Sequence, residues 1–185
     1  METTKTTKYF GEVELKYGNN GYGNNHIFIY TDFKDQKISI YIENYDKFGD
    51  KLALVWELVD KYIEIHETAK KAIVKNFPKK KSVVHTFFKK HFDDDFYFAQ
   101  SEIYHEYYKK YLVEKYGVTD FKKIDITSFV EKMDYPSLYF DFEDEIITIV
   151  LDYYIYESGN DLDVKLNVLL DEKLNIKDFE IDWGS

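Results

Sequence analysis

Polar and apolar residues alternate with a period of two near the start of the chain, as they do in strands that bury one face. Val13 and Leu15 would point to one side of an extended chain, and Glu12 and Glu14 would point to the other. The alternation predicts a meander of three strands, over residues 9–17, 26–33 and 37–44.

A run of glycine and asparagine, residues 18–25, lies between the first two of these strands. Because both residue types tolerate a positive φ, the run is typical of a long hairpin loop. A glycine-rich loop that cradles phosphate is the alternative interpretation. That motif ends in Lys-Ser or Lys-Thr and is followed by a helix, whereas a predicted strand follows this run.

The middle of the chain has the helical period. Leu52, Val55 and Val59 recur at helical spacing after Asp50, a candidate N-cap, and they predict a first helix over residues 51–77.

Three shorter helices are predicted after the first one. Ser82 and Ser101 are candidate N-caps, and Gly117 is of the residue type that most often ends a helix. These signals predict helices over residues 82–92, 101–116 and 127–133.

After Pro136 the period of two returns. Leu138 and Phe140 would face one side of a strand, and Tyr139 and Asp141 would face the other. The same alternation recurs to the end of the chain and predicts four strands, over residues 137–144, 145–158, 163–170 and 176–184.

The order of these elements predicts an α+β protein. Short polar connections favour antiparallel pairing, so we expect an antiparallel sheet built from both chain ends, with three to four helices from the middle packed on one face. The length of 185 residues and an apolar content of 44% suit one domain with a substantial core. We therefore expect a single domain, 1–185, with a β meander (1–45), a helical segment (46–133) and an acidic β segment (134–185).

Charge is distributed very unevenly along the chain. Residues 1–50 carry 6 Lys and 8 acidic residues, residues 51–133 carry 16 and 13, and residues 134–185 carry 3 and 14. The net charge of -10 is therefore concentrated in the last segment. Such a concentration is a feature of interaction surfaces as well as of solvated ones.

The acidic strands predict a candidate binding surface. If the helices cover the apolar rows, the opposite face of the sheet displays carboxylates interspersed with tyrosines. Carboxylates steer a basic protein toward its site and tyrosines supply contact area, so we expect a basic protein partner. A solvated face without a partner is the alternative. The candidate partner-binding residues are Tyr139, Asp141, Glu143, Asp152, Tyr154, Tyr156, Asp178, Glu180 and Asp182.

Several classes of function are disfavoured by composition. All basic residues are lysine, and without arginine a negatively charged chain is poorly suited to nucleic acid. There is no cysteine, no recognisable catalytic motif, and no apolar run of the ~18 residues that a membrane span requires. We expect a cytoplasmic protein that is not an enzyme, has no catalytic residues, needs no cofactor and binds neither nucleic acid nor a membrane.

Two alternatives remain open at this point. His91, Asp94, Asp95 and His105 could together hold a metal ion and make the protein a metal-dependent enzyme or sensor, although the three acidic residues after Phe92 also suit a helix start. The third predicted helix could instead be the interface of an oligomeric structural protein, through a tyrosine-rich stripe that comprises Tyr104, Tyr107, Tyr108, Tyr111 and Lys115.

Short motifs at the two β ends resemble known families. The Phe-Gly-Glu strand in residues 9–15, together with residues 138–144 and 166–181, is similar to domain families of small acidic bacterial proteins that have no established catalytic motif. Some of these families are similar in size and charge to immunity proteins of polymorphic toxin systems. The resemblance implies a protein that neutralises a toxin by occluding it, and it leaves the partner open.

Overall fold

The computed structural model describes residues 2–19, 25–92, 102–155 and 164–183, and for residues 102–105 it describes the backbone alone. Seven strands form one sheet in the order β3-β4-β5-β6-β7-β8-β9, and β1 and β2 form a separate two-stranded sheet. The strands are β1 (Thr4–Thr7), β2 (Gly11–Glu14), β3 (Lys16–Asn19), β4 (Asn25–Phe33), β5 (Gln36–Glu43), β6 (Ser137–Glu143), β7 (Ile146–Tyr154), β8 (Lys165–Asp171) and β9 (Ile176–Asp182).

Five α-helices lie between β5 and β6 in the described part of the chain. They are α1 (Leu52–Val59), α2 (Tyr62–Asn76), α3 (Val83–Lys90), α4 (Glu102–Tyr111) and α5 (Ile126–Glu131). The predicted α+β class, with strands from both chain ends, is confirmed. In the structure, β5 ends at Glu43 and β6 begins at Ser137.

One pairing in the sheet differs from the predicted antiparallel arrangement. Strands β3-β4, β4-β5 and β6-β7 pair antiparallel, but β5 and β6 pair parallel. A parallel pair needs a long crossover between its strands, and the helical segment provides one. The sheet is therefore mixed.

The first predicted strand is two strands in the structure. β2 pairs with β1 and β3 pairs with β4, and Leu15 separates them. The backbone N–H of Leu15 donates to the carbonyl oxygen of Thr3 at 2.9 Å. Val13 and Leu15 are both buried, so the predicted apolar side was correct although the strand changes partners between the sheets.

The first predicted helix is also divided. α1 ends at Val59 and α2 begins at Tyr62. Lys61 N–H donates to the Leu58 carbonyl in a bond of the tighter 3₁₀ type, at 2.9 Å. Asp50 lies within a 3₁₀ turn before α1 and is not its N-cap, so that prediction was wrong.

Other helix ends follow the sequence signals. The Ser82 hydroxyl accepts a hydrogen bond from His85 N–H at 3.1 Å and caps α3. Gly117 has a φ of 73° and ends the π-helical segment Leu112–Tyr116 that continues α4. Ser101, the predicted cap of α4, lies outside the described residues.

Two short hairpin turns are made without glycine. Lys34 and Asp35 connect β4 to β5, and Asp144 and Glu145 connect β6 to β7. All four have a positive φ, between 49° and 65°. Two consecutive residues of this kind match the right-handed twist of the flanking strands, which explains why both turns are only two residues long.

The structure divides into two compact units. The first comprises Met1–Ala69, Tyr135–Asp152 and Asn167–Asp178, and the second comprises Lys70–Asp134, Tyr153–Leu166 and Phe179–Ser185. The single domain expected from the sequence stays a prediction.

The core of the first unit is built on one face of its strands. In the central part of β4 to β7 every second residue is buried, and these residues are isoleucine, leucine or phenylalanine. α1 adds Val55, Leu58 and Val59 to the buried set. The buried residues of the strands are Ile27, Ile29, Ile38, Ile40, Ile42, Leu138, Phe140, Ile147, Ile149 and Leu151.

The second unit has its own buried aromatic centre. The ring of Tyr116 stacks on Phe129 with centroids 3.8 Å apart and an interplanar angle of 2°. Its hydroxyl donates to the carbonyl oxygen of Ile155 at 3.1 Å. Burial raises the pKa of Tyr116, so its hydroxyl remains a hydrogen-bond donor.

In the first unit, Tyr62 at the start of α2 is also a buried tyrosine whose hydroxyl donates to a backbone carbonyl. Its hydroxyl donates to the buried carbonyl oxygen of Pro136 at 2.6 Å, immediately before β6. Its ring contacts Phe10 and Phe33 at centroid distances of 5.1 and 5.7 Å. This hydrogen bond fixes the helix to the point where the chain enters β6.

We expect Tyr62→Phe to lower the free energy of unfolding by about 1–3 kcal/mol, because the Pro136 carbonyl loses its buried donor. Urea denaturation measures this loss. Tyr107→Phe is the matched control, since Tyr107 is 64% exposed and should cost less than about 0.5 kcal/mol. Equal stabilities for the two variants would contradict the role given to Tyr62.

Candidate functional site

A line of side chains crosses the sheet of the first unit on the face opposite the buried isoleucines. The strand register pairs Lys16 with Phe28, Phe28 with Tyr41, Tyr41 with Tyr139, and Tyr139 with Val150. The line therefore runs from β3 to β7, perpendicular to the strands. We call Phe28, Tyr41 and Tyr139 the aromatic row, and the side of β4–β7 that carries it the polar face.

The rings of the aromatic row are in direct contact. Tyr41 and Tyr139 stack with centroids 4.9 Å apart at 20°, and His26 stacks on Tyr41 at 5.1 Å and 26°. Phe28 meets Tyr41 edge to face at 5.9 Å, and Tyr30 meets Phe28 edge to face at 4.2 Å. Neighbouring strands are separated by about 4.8 Å, the distance at which parallel rings stack. The strand spacing thus holds these rings in fixed positions.

Carboxylates lie beside the aromatic row. Glu43 on β5 accepts a hydrogen bond from the Tyr139 hydroxyl. Asp141 and Glu143 follow Tyr139 at every second position of β6, which keeps them on the polar face. Within the described part of the chain, neither Asp141 nor Glu143 has a lysine close enough for an ion pair.

The tyrosine hydroxyls of the aromatic row stay protonated. Burial is the main cause that raises the pKa of Tyr139, and the hydrogen bond to Glu43 raises it further. Burial also raises the pKa of Tyr41, with a smaller contribution from the charge of Glu43. Both groups are therefore hydrogen-bond donors in the physiological range of pH. The polar face combines neutral phenols with carboxylates.

His26 is tightly enclosed at one end of this surface. A Cβ atom added at Gly18 would overlap the His26 ring, so a larger residue at this position would force the ring to shift. The Nδ1 atom of His26 is buried and has no hydrogen-bond partner among the described residues. Glu43 is its cross-strand neighbour.

Four of the predicted partner-binding residues belong to the first unit on the polar face. Tyr139 belongs to the aromatic row, and Asp141 lies beside that row. Glu143 is exposed at the end of β6, and Asp152 pairs across strands with Ser137. The structure brings these residues onto one surface, as the alternation predicts.

The other predicted residues lie on later strands. Tyr154 is half-buried on β7, while Asp178, Glu180 and Asp182 are exposed on the edge strand β9. Asp182 forms an ion pair of 3.2 Å with Lys165, so its charge is partly compensated. Tyr156 lies outside the described residues.

Sequence reasoning missed the residues that the first meander contributes. Tyr30, Tyr41 and Glu43 lie on the polar face beside Tyr139, and Tyr30 is 63% exposed. The signal was available in β5, where Tyr41 and Glu43 alternate with buried isoleucines. The net charge of residues 1–50 concealed this signal, because 6 lysines nearly balance the 8 acidic residues there.

Only one of the four candidate metal ligands, His91, has a side chain that the structure describes. His91 is 2% exposed, and its Nδ1 atom lies 2.9 Å from the Phe87 carbonyl oxygen. Asp94 and Asp95 lie outside the described residues, as does the side chain of His105. Among the described residues, no group of three His, Asp or Glu side chains could hold a metal ion.

The tyrosines of α4 do not form one exposed stripe. Tyr107 is exposed, Tyr108 is buried and Tyr111 is half-buried. Tyr111 accepts a hydrogen bond from Lys115 at 2.8 Å. The side chain of Tyr104 lies outside the described residues.

Comparison with protein-family models, with curated proteins and with solved structures found no match for the chain. Among the described helices, none is long and apolar enough to cross a membrane. The site must therefore be interpreted from its own geometry.

The burial of His91 predicts that the stability of the protein depends on pH. Burial lowers the pKa of His91 to about 4, below the ordinary value of 6.5, because the charged ring would lose its hydration. A lowered pKa means that the unfolded state binds more protons between these two values. The stability that the neutral ring confers is therefore present above the unfolded pKa and is lost as the pH falls toward 4.

We expect the free energy of unfolding to fall by up to about 3 kcal/mol through His91 alone as the pH is lowered to about 4. Urea denaturation at several pH values measures this slope. His91→Leu should flatten the slope whatever its stability at neutral pH. The same slope in His91→Leu and the wild type would show that His91 is not its cause.

Proposed function

We propose that this protein binds a basic protein through the polar face of its first unit. The observation that carries the proposal is the position of Asp141 and Glu143 beside the stacked tyrosines of the aromatic row. Neither carboxylate has an ion pair in the described part of the chain. Stacked cross-strand rings stabilise a sheet whether or not a partner binds, whereas carboxylates without an ion pair add nothing to that stability and suit a basic partner.

The two kinds of side chain have complementary roles in binding. Carboxylates attract a basic surface over several ångströms and raise the rate of encounter. Tyrosine offers a large contact area and loses little conformational entropy, especially where its ring is already stacked, as Tyr41 and Tyr139 are. Association should therefore be fast at low salt and should weaken as salt is added.

We further propose that the partner is a toxin and that the chain acts as a cytoplasmic immunity protein. The resemblance of its β ends to families of small acidic proteins supports this part of the proposal, as does the acidic polar face. Neutralisation by occlusion requires only a surface that covers the toxin, so it is compatible with a binding site that carries out no chemistry.

Charge reversal tests the binding surface. We expect the double variant Asp141→Lys and Glu143→Lys to bind an octalysine peptide about tenfold more weakly than the wild type at about 50 mM NaCl. Isothermal titration calorimetry measures the affinity, and the difference should shrink at about 300 mM NaCl.

The matched control is Glu12→Lys with Glu57→Lys, which changes the net charge equally at exposed positions off the polar face. Its affinity for octalysine should change much less than that of the first double variant. If both double variants lose affinity equally, attraction depends on net charge alone and the polar face is not the binding surface.

Growth tests the proposed neutralisation. We expect a gene next to the one for this chain to encode a protein that ends in a small basic domain. Expression of that domain should arrest cells, and co-expression of this chain should restore growth. The Asp141→Lys and Glu143→Lys variant should fail to restore it. A basic domain whose toxicity this chain leaves unchanged would overturn the immunity proposal.

A further inference from the structure

Tyr30 presents an aromatic ring to solvent at the margin of the polar face. It is 63% exposed, and its ring is fixed by an edge-to-face contact with Phe28 at 4.2 Å. The ammonium group of Lys16 lies over the Tyr30 ring, 5.9 Å from its centroid. The chain thus places one of its own cations on the most exposed ring of this surface.

Lys16 is held there only weakly. Its side chain is more than half exposed, and its one ion pair among the described residues, with Glu14, spans 3.9 Å between the charged atoms. A cation over an exposed ring gains about 0.5–1 kcal/mol, which a second cation of the same kind can match. Lys16 can therefore be displaced from the ring by another ammonium or guanidinium group.

The surroundings of Tyr30 favour a cation that belongs to a larger partner. The ring of Phe28 contacts the rings of Tyr30 and Tyr41, and the ring of Tyr41 stacks on that of Tyr139. The four rings therefore form one continuous contact surface. Glu43 lies within this surface because it accepts the hydrogen bond of Tyr139. A partner side chain at Tyr30 would continue onto tyrosines and carboxylates.

We propose that Tyr30 and the aromatic row form a subsite for a lysine or arginine side chain of the basic partner, and that Lys16 occupies this subsite in the free protein. This inference rests on the proposed function, because it identifies which part of the polar face recognises the cation. Lys16 acts as an internal competitor that the partner displaces on binding.

Removal of the competitor tests the inference. Lys16→Met keeps the apolar stem and removes the ammonium group from the Tyr30 ring, so octalysine should bind about two- to fivefold more tightly than it binds to Lys37→Met. Lys37 is the matched control, because it is an exposed lysine on the same face of β5 that pairs across strands with Asp32. Both variants make the same change in net charge.

Replacement of the Tyr30 ring is a second test of the proposed subsite. Tyr30→Leu should weaken octalysine binding by about two- to fivefold, whereas Tyr30→Phe keeps a ring face and should bind as the wild type does. The ring signals of Tyr30 in an NMR titration with octalysine should shift more than those of the exposed Tyr107.

The outcomes separate the subsite from the proposed function. If Lys16→Met and Lys37→Met bind equally and Tyr30→Leu binds as the wild type does, the subsite is wrong. The proposed function still stands in that case if Asp141→Lys with Glu143→Lys loses binding. If this charge reversal also has no effect, then the proposed function and the subsite are both overturned.

Discussion

The parallel pairing of β5 with β6 is the contact on which the rest of the first unit depends. It aligns Ile40 with Leu138, Tyr41 with Tyr139, and Ile42 with Phe140, although about a hundred residues separate the members of each pair along the chain. The outer two pairs are apolar and buried, so they supply the hydrophobic free energy that holds the strands together. The central pair, on the opposite face, is the stacked tyrosine pair.

One pairing therefore creates both the core and the candidate site. A shift of one residue in its register would exchange the faces of β6 and place Tyr139 among the isoleucines. Burial of the apolar row prevents such a shift and so fixes the distance between the two tyrosine rings. The same constraint brings Tyr139 to Glu43, a residue of the other chain end. The rings of the polar face are held in place by the core beneath them.

Local sequence signals were sufficient to predict those features of the structure that depend on residues close together in the chain. Alternation predicted the buried rows of β6, β7 and β8, and Ser82 and Gly117 marked helix ends because their effects operate within a few residues. Alternation could not reveal that the strand at residues 9–17 changes partners at Leu15, because the same apolar side remains buried in both sheets. It also could not reveal the break between α1 and α2, where the apolar periodicity continues across Asp60.

The sequence by itself determined which side of each strand is apolar, where charge is concentrated, and that Tyr139, Asp141 and Glu143 share a face, because side chains alternate along any strand. Only the tertiary structure decided that Tyr30, Tyr41 and Glu43 join them. Strand order and direction are set by the way distant apolar rows pack, and no local pattern encodes which distant row will be the neighbour. The tertiary structure also decided the state of His91, because burial beside Phe87 and Tyr108 lowers the pKa of its ring.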